Sequence, residues 1–171
     1  MPKTQGFWDF SVRTYYGEGV QEAFLALQNQ WGADTNMLLF CIWLGRTHGQ
    51  FSDRLFAAAC DFSTNWAQHV VVPLRDVRTW MKGTGCHDGK VPVQDCMDLR
   101  EKVKGVELGA EKLQEEVLES LCADHPQVQQ SAAEQLAAAS SNVRRYLASL
   151  GIEAEGRVAE QVGLIMAAQD F

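Results

Sequence analysis

The stretch Asp34-Thr35-Asn36-Met37-Leu38-Leu39-Phe40-Cys41-Ile42-Trp43-Leu44-Gly45-Arg46-Thr47-His48 decides the fold class. Its centre, Met37 to Leu44, is apolar without a break. A half-buried strand would alternate apolar and polar residues, and a membrane helix needs roughly 18–20 apolar residues. The remaining reading is a helix that is hydrophobic on nearly all sides and sits at the centre of a helical protein. Asp34 is placed to cap it, because a carboxylate there can accept a backbone N–H of the first turn. Gly49 closes it, and His48 in the last turn would be favoured as a cation at the carbonyl end.

Helical spacing continues on both sides. Phe7 to Tyr16 reads as a short helix with Phe7, Trp8, Ser11 and Tyr15 on one face. Val20 to Trp31 reads as a second, carrying Ala23, Phe24, Leu27 and Trp31 inward and ending at Gly32. Downstream, Ser52 caps a helix running to about Val71, with Phe56, Ala59, Phe62 (or Ser63) and Trp66 inside and His69 partly buried. Pro73 starts a new segment or kinks this one, since it lacks an N–H and clashes with the preceding turn. Val77 and Trp80 extend the inward face. The run from Gly83 to Pro92 holds three Gly and a Pro and reads as a loop. Beyond Asp95, the residues Leu99, Val103, Val106, Ala110, Leu113, Val117 and Leu121 mark the inner face of an amphipathic helix. Gln127 to Leu150 is expected to be another, facing inward through Ala132, Leu136, Ala139, Val143, Tyr146 and Leu150. A last one runs from Glu153 to about Gln169 with Val158, Val162, Ile165 and Met166. The expectation is an all-α, single-domain bundle of six or seven helices, with the buried helix at about 35–48.

Charge and aromatics divide the 171 residues unevenly. Residues 1–82 carry seven Lys/Arg and seven Asp/Glu, whereas 83–171 carry eight and fifteen, so the second part holds the whole net charge of −7. All five Trp and seven of the eight Phe lie before residue 83. The expected organisation over 1–171 is therefore an aromatic core-forming half (1–82), a Gly-rich loop (83–94) and acidic amphipathic helices (95–171). The acidic total disfavours nonspecific nucleic-acid binding, which requires phosphate neutralisation. No apolar run suits a membrane span, and the opening residues from Met1 to Trp8 lack the pattern of a secretory leader. Five cysteines, odd in number and without a C-x-x-C pair, suit a reducing cytoplasm better than a disulfide framework.

No catalytic set is visible. There is no Glu-x-x-His of di-iron bundles, no P-loop and no dinucleotide fingerprint. Cys86, His87 and Cys96 are weak metal candidates whose spacing lacks the close ligand pairs of zinc modules, so no metal and no cofactor is expected. Arg75, Arg78 and Lys82 share one helix face that could receive an acidic group; a solvated face is the plainer reading. Glu107, Glu111, Glu115 and Glu119 repeat every fourth residue, at a cost of about 0.2–0.5 kcal/mol per like-charged pair. They read as a soluble face, or as a stripe that docks on a basic partner or on Arg75, Arg78 and Lys82.

Three pieces carry a resemblance: Phe7-Trp8-Asp9-Phe10-Ser11 with Tyr15, Gly19-Val20-Gln21 to Leu27-Gln28, and Asp34 to Leu44. Val72-Pro73-Leu74-Arg75-Asp76-Val77-Arg78 with Lys82 adds a later echo. Across roughly its first half the chain resembles a family of short conserved-hypothetical proteobacterial proteins, a domain of unknown function. The resemblance implies a small bacterial cytosolic protein and supplies no mechanism.

The functional expectation is a non-enzymatic domain that binds another protein, or itself as a homodimer. Its candidate residues are Trp8, Tyr15, Asp34, Asn36, Trp43, Arg75 and Arg78. The alternative is a small-molecule binder or enzyme with a pocket walled by Trp8, Tyr15, Trp43 and Trp66, and with Asn36 or Arg75 as polar contacts.

Overall fold

In the computed structural model, which describes residues 6–169, the helix read from Asp34 onward forms as α3 (Thr35–Thr47). Asn36 to Gly45 are buried without interruption, and the Asp34 carboxylate accepts the Asn36 N–H at 2.8 Å. Before it come α1 (Phe7–Tyr15) and α2 (Val20–Trp31). After it come α4 (Asp53–Trp66), a π-helical segment at Ala67–Val71, α5 (Val72–Trp80) and a second π-helical segment at Met81–Gly85, all in one continuous run. The chain then forms α6 (Val93–Ser120), α7 (Ala132–Ser149) and α8 (Gly156–Ala167). The described residues thus make seven continuous helical runs and no strand, so the protein is all-α.

Capping follows local chemistry. Ser52 Oγ accepts the Leu55 N–H at 3.2 Å to start α4. At α7 a reciprocal box forms: Ser131 Oγ accepts the Glu134 N–H, and the Glu134 carboxylate accepts the Ser131 N–H at 2.8 Å. Gly32 ends α2 with φ of 75°, a left-handed value that glycine adopts without steric cost. The leader reading rested largely on residues 1–5, which lie outside the described residues.

The chain divides into two compact units, one of residues 1–60 and 115–171 and the other of residues 61–114. In the first unit, α3 packs along α7, α2 against α8 and α1 against α3. Its centre is a set of touching rings. Phe7 lies 5.4 Å from Phe40 and 5.3 Å from Trp43, and Phe40 lies 5.7 Å from Phe51. Between α3 and α7 sits Asn142, which is buried. Its amide donates to the carbonyls of Cys41 (3.2 Å) and Gly49 (3.0 Å) and accepts the Phe51 N–H (3.0 Å). One side chain thereby satisfies three backbone groups where α3 ends, groups that would be costly to bury unpaired.

The 61–114 unit has a smaller apolar cluster of Met81, Cys86 and Cys96, with Met97 and Val103 against it. Cys86 and Cys96 are joined by a disulfide, which corrects the expectation that all five cysteines stay reduced. Trp66 Nε1 donates to the Ala110 carbonyl at 2.9 Å, and Gln114 donates to Ser63 at 2.6 Å inside the unit.

Several facings differ from the sequence reading. Trp80 is 61% exposed and Val77 is 49% exposed, although both were expected inside. The π-helical segment at Ala67–Val71 is the cause. A π turn holds an extra residue, so every side chain after it is turned by about 100°. Inward positions move on by one residue, to Val71, Arg75, Arg78 and Met81. Pro73, which offers no N–H, sits just after this widened turn. On α6 the apolar row also misleads. Leu99, Val106 and Leu113 are exposed, while Glu107, Ala110, Gln114 and Leu118 are buried. On α7, Leu136 is exposed and Asn142 and Leu147 take inward places. His69 is exposed rather than partly buried.

Candidate functional site

Arg75 and Arg78, read as a solvated face or as one that receives an acidic group, pair with glutamates of the stripe within the 61–114 unit. Arg75 Nη2 donates to Glu111 at 3.0 Å, and its Nε reaches Glu107 at 3.4 Å. Arg78 grips the same Glu107 carboxylate, with Nη2 at 3.1 Å from Oε1 and a second bond from Nε. Glu107 is 5% exposed and so nearly surrounded by its two guanidinium partners. That pairing holds the Arg78 guanidinium more firmly protonated than usual, chiefly through its hydrogen bond to Glu107. Lys82, the third member of the face, is exposed.

The acidic stripe is therefore not a solvated face. Glu107 and Glu111 bind arginines, Glu115 is buried, and Glu119 accepts the Phe7 N–H at the start of α1 at 3.2 Å. Glu107, Glu111 and Glu119 each meet a donor, which offsets the like-charge spacing along this side of α6.

Trp8, Tyr15, Asp34, Asn36 and Trp43 belong to the other unit. Trp43 is 3% exposed and stacked among Phe7, Phe40 and His48, so its ring is core. Tyr15 lies 5.9 Å from Phe24, and Trp8 is partly buried on α1. Asn36 donates its N–H to the capping carboxylate of Asp34, whose own N–H is bound by the Tyr146 hydroxyl at 2.9 Å. Burial pushes the Tyr146 phenol well above its ordinary value, so it stays a neutral hydrogen-bonding group. The residues named as pocket walls pack elsewhere: Trp43 against Phe7 and Phe40, Tyr15 against Phe24, and Trp66, in the 61–114 unit, against Phe62. A cavity of about 10 Å³ among Phe24, Leu27, Leu38 and Ile165 is too small for a ligand and marginal for one water.

Cys86 and Cys96 spend both their sulfurs on each other, which removes the two thiolates from the metal candidate that included His87. Among the described residues, no group of three or more His, Cys, Asp or Glu is arranged to hold a metal ion. Cys41, Cys60 and Cys122 are free thiols. Burial raises all three above the ordinary thiol range, Cys122 to about 12, so none is a ready nucleophile.

One polar cluster escaped the sequence reading. Ser52 Oγ and His125 Nε2 are 2.9 Å apart, across 73 residues. Thr47 Oγ1 and His48 Nδ1 are 2.6 Å apart, with His48 5.1 Å from the Trp43 ring. His48 is held below the ordinary imidazole value, first by burial and then by His125. This corrects the reading of His48 as a favoured cation. Ser52 and His125 do not form a catalytic dyad: Ser52 is engaged as the α4 cap, and the buried His125 Nδ1 has no hydrogen-bond partner to orient the ring. No sequence spacing could have paired Ser52 with His125, because only the return of the chain after α6 brings them together.

What the surface offers instead is apolar. On α6, Leu99, Val106 and Leu113 are 54%, 59% and 51% exposed. They recur every seven residues, so they form one row with about 10.5 Å between members.

A family model described as a protein of unknown function, DUF2390, matches residues 6–118, and the chain belongs to that family. The match takes in α1 to α5 and most of α6, beyond the first half that carried the resemblance. No curated protein and no solved structure matches the chain. No helix of the described residues is long and apolar enough to cross a membrane.

Proposed function

We propose that this is a non-enzymatic protein-interaction domain of the bacterial cytosol, and that α6 presents its binding face. The row Leu99, Val106 and Leu113 carries this reading. Single exposed apolar residues are ordinary on protein surfaces, but three in helical register form a face that gains by being covered. The filled aromatic core and the self-paired Arg75 and Arg78 support a surface role over an internal pocket. The free Cys41, Cys60 and Cys122 suit a reducing compartment, while the Cys86–Cys96 bond is the feature that thiol labelling in intact cells would check there.

A photo-crosslinking residue placed at Val106 in living cells tests the function. Covalent capture of a protein from Val106, and not from the exposed Lys82, is expected. Equal labelling at both positions, or none at Val106, would sink the reading.

A further inference from the structure

We infer that the α6 row seats a second copy of this chain, antiparallel, with the two helices crossing at Gly105. The inference rests on the interaction reading above and adds the identity of the occupant.

The first observation is the pair of glycines Gly105 and Gly109 inside α6. A Cβ at either would meet nothing within 4 Å, so neither is small to make room for a neighbour in the chain. Glycine in a helix interior is less favourable than alanine. Bare backbone beside an exposed apolar row is what a second helix needs for close approach.

The second observation is the charge pattern. Asp98 and Lys112 are both exposed and stand seven residues either side of Gly105. A two-fold axis through Gly105 places Asp98 of each copy opposite Lys112 of the other, which makes two opposite-charge pairs. A parallel arrangement would set Asp98 against Asp98 and Lys112 against Lys112, with repulsion at both ends. The same antiparallel axis serves the apolar row. Val106 lies one residue from the axis and so meets its own copy. Leu99, six residues before it, falls beside Leu113 of the second copy, eight residues after it. One arrangement of one helix thus brings Val106 to Val106, Leu99 to Leu113 and Asp98 to Lys112. The face is short, so the expected dimer buries area near the lower end for specific interfaces, on the order of 800–1,200 Å² in total, and is concentration-dependent.

Sedimentation velocity of the full chain from 1 to 500 μM (concentrations on the order of those at which small interfaces associate) tests the inference. A rise from the 19.0 kDa monomer towards twice that mass is expected. Asp98→Lys should weaken association by about tenfold, as should Lys112→Asp, and the double exchange should restore it. These are exposed sites, and circular dichroism would verify that each variant keeps its helices. A monomer at every concentration overturns the inference, as does a dimer unmoved by the single reversals or not restored by the exchange. Crosslinking from Val106 to a protein of another mass, with the purified chain monomeric, would overturn the second copy as occupant and leave the interaction function standing.

Discussion

Gly45 on α3 faces Ala139 on α7 so closely that a Cβ at position 45 would lie 2.8 Å from the Ala139 Cβ and overlap its backbone. This brings the buried helix directly against Ala139, which is itself fully buried. Gly45→Ala is expected to destabilise the protein by about 2 kcal/mol, because overfilling a close-packed crossing costs 1–3 kcal/mol. Urea unfolding checks it. A shift below about 0.5 kcal/mol would mean that the helices separate freely.

Glu107 shares one carboxylate between Arg75 and Arg78, each about a quarter exposed at its side chain. Glu107→Gln would leave Arg78 without the carboxylate it grips and Arg75 with Glu111, in a partly buried place. The expected loss is about 2 kcal/mol, less than the roughly 3–5 kcal/mol of a fully buried broken pair, since water reaches both arginines. Single Arg75→Ala and Arg78→Ala variants should each lose less than Glu107→Gln. Equal stability of the Gln variant and the parent would show that the cluster is ornamental.

His48 binds a proton less readily in the folded chain than at its ordinary value of about 6.5. Its surroundings are His125, Thr47 Oγ1 and the Trp43 ring. The unfolded chain therefore takes up more protons at and below that value, and the His48 contribution to stability is present above about pH 6.5 and lost as pH falls through it. Melting temperature should drop between pH 7 and pH 5.5, and His48→Gln should flatten the drop. An unchanged profile in that variant would assign acid sensitivity elsewhere.

The Cys86–Cys96 bond closes a short ring over Met81, Met97 and Val103. Reduction, or a Cys86→Ser/Cys96→Ser pair, should cost about 2.5 kcal/mol, the chain-entropy value for a loop of this length. Thiol titration of the unfolded oxidised protein should count three cysteines and of the reduced protein five. Five without reduction would remove the bond.

Legibility in the sequence depended on how uniformly a segment obeyed helical geometry. α3 was plain because a helix apolar on all sides has no facing to misassign. Its cap at Asp34, the stop at Gly32 and the start at Ser52 were plain because each is decided within four residues. The face of α5 was hidden by the widened turn at Ala67–Val71, which no residue type announces. The face of α6 was hidden because burial of Glu107 and Gln114 rests on Arg78 and Ser63, partners 29 and 51 positions away. The apolar row that periodicity nominated as core is there on the surface, and this displacement turned a supposed packing face into the candidate site.

Lys90 is exposed and lies between Cys86 and Cys96, inside the covalent ring. A trypsin cut there would sever the sequence without dividing the molecule. The nicked protein should run as one band on a denaturing gel without reductant and as two with it. In this protein a broken peptide bond and a lost fragment are separate events, and the second requires electrons.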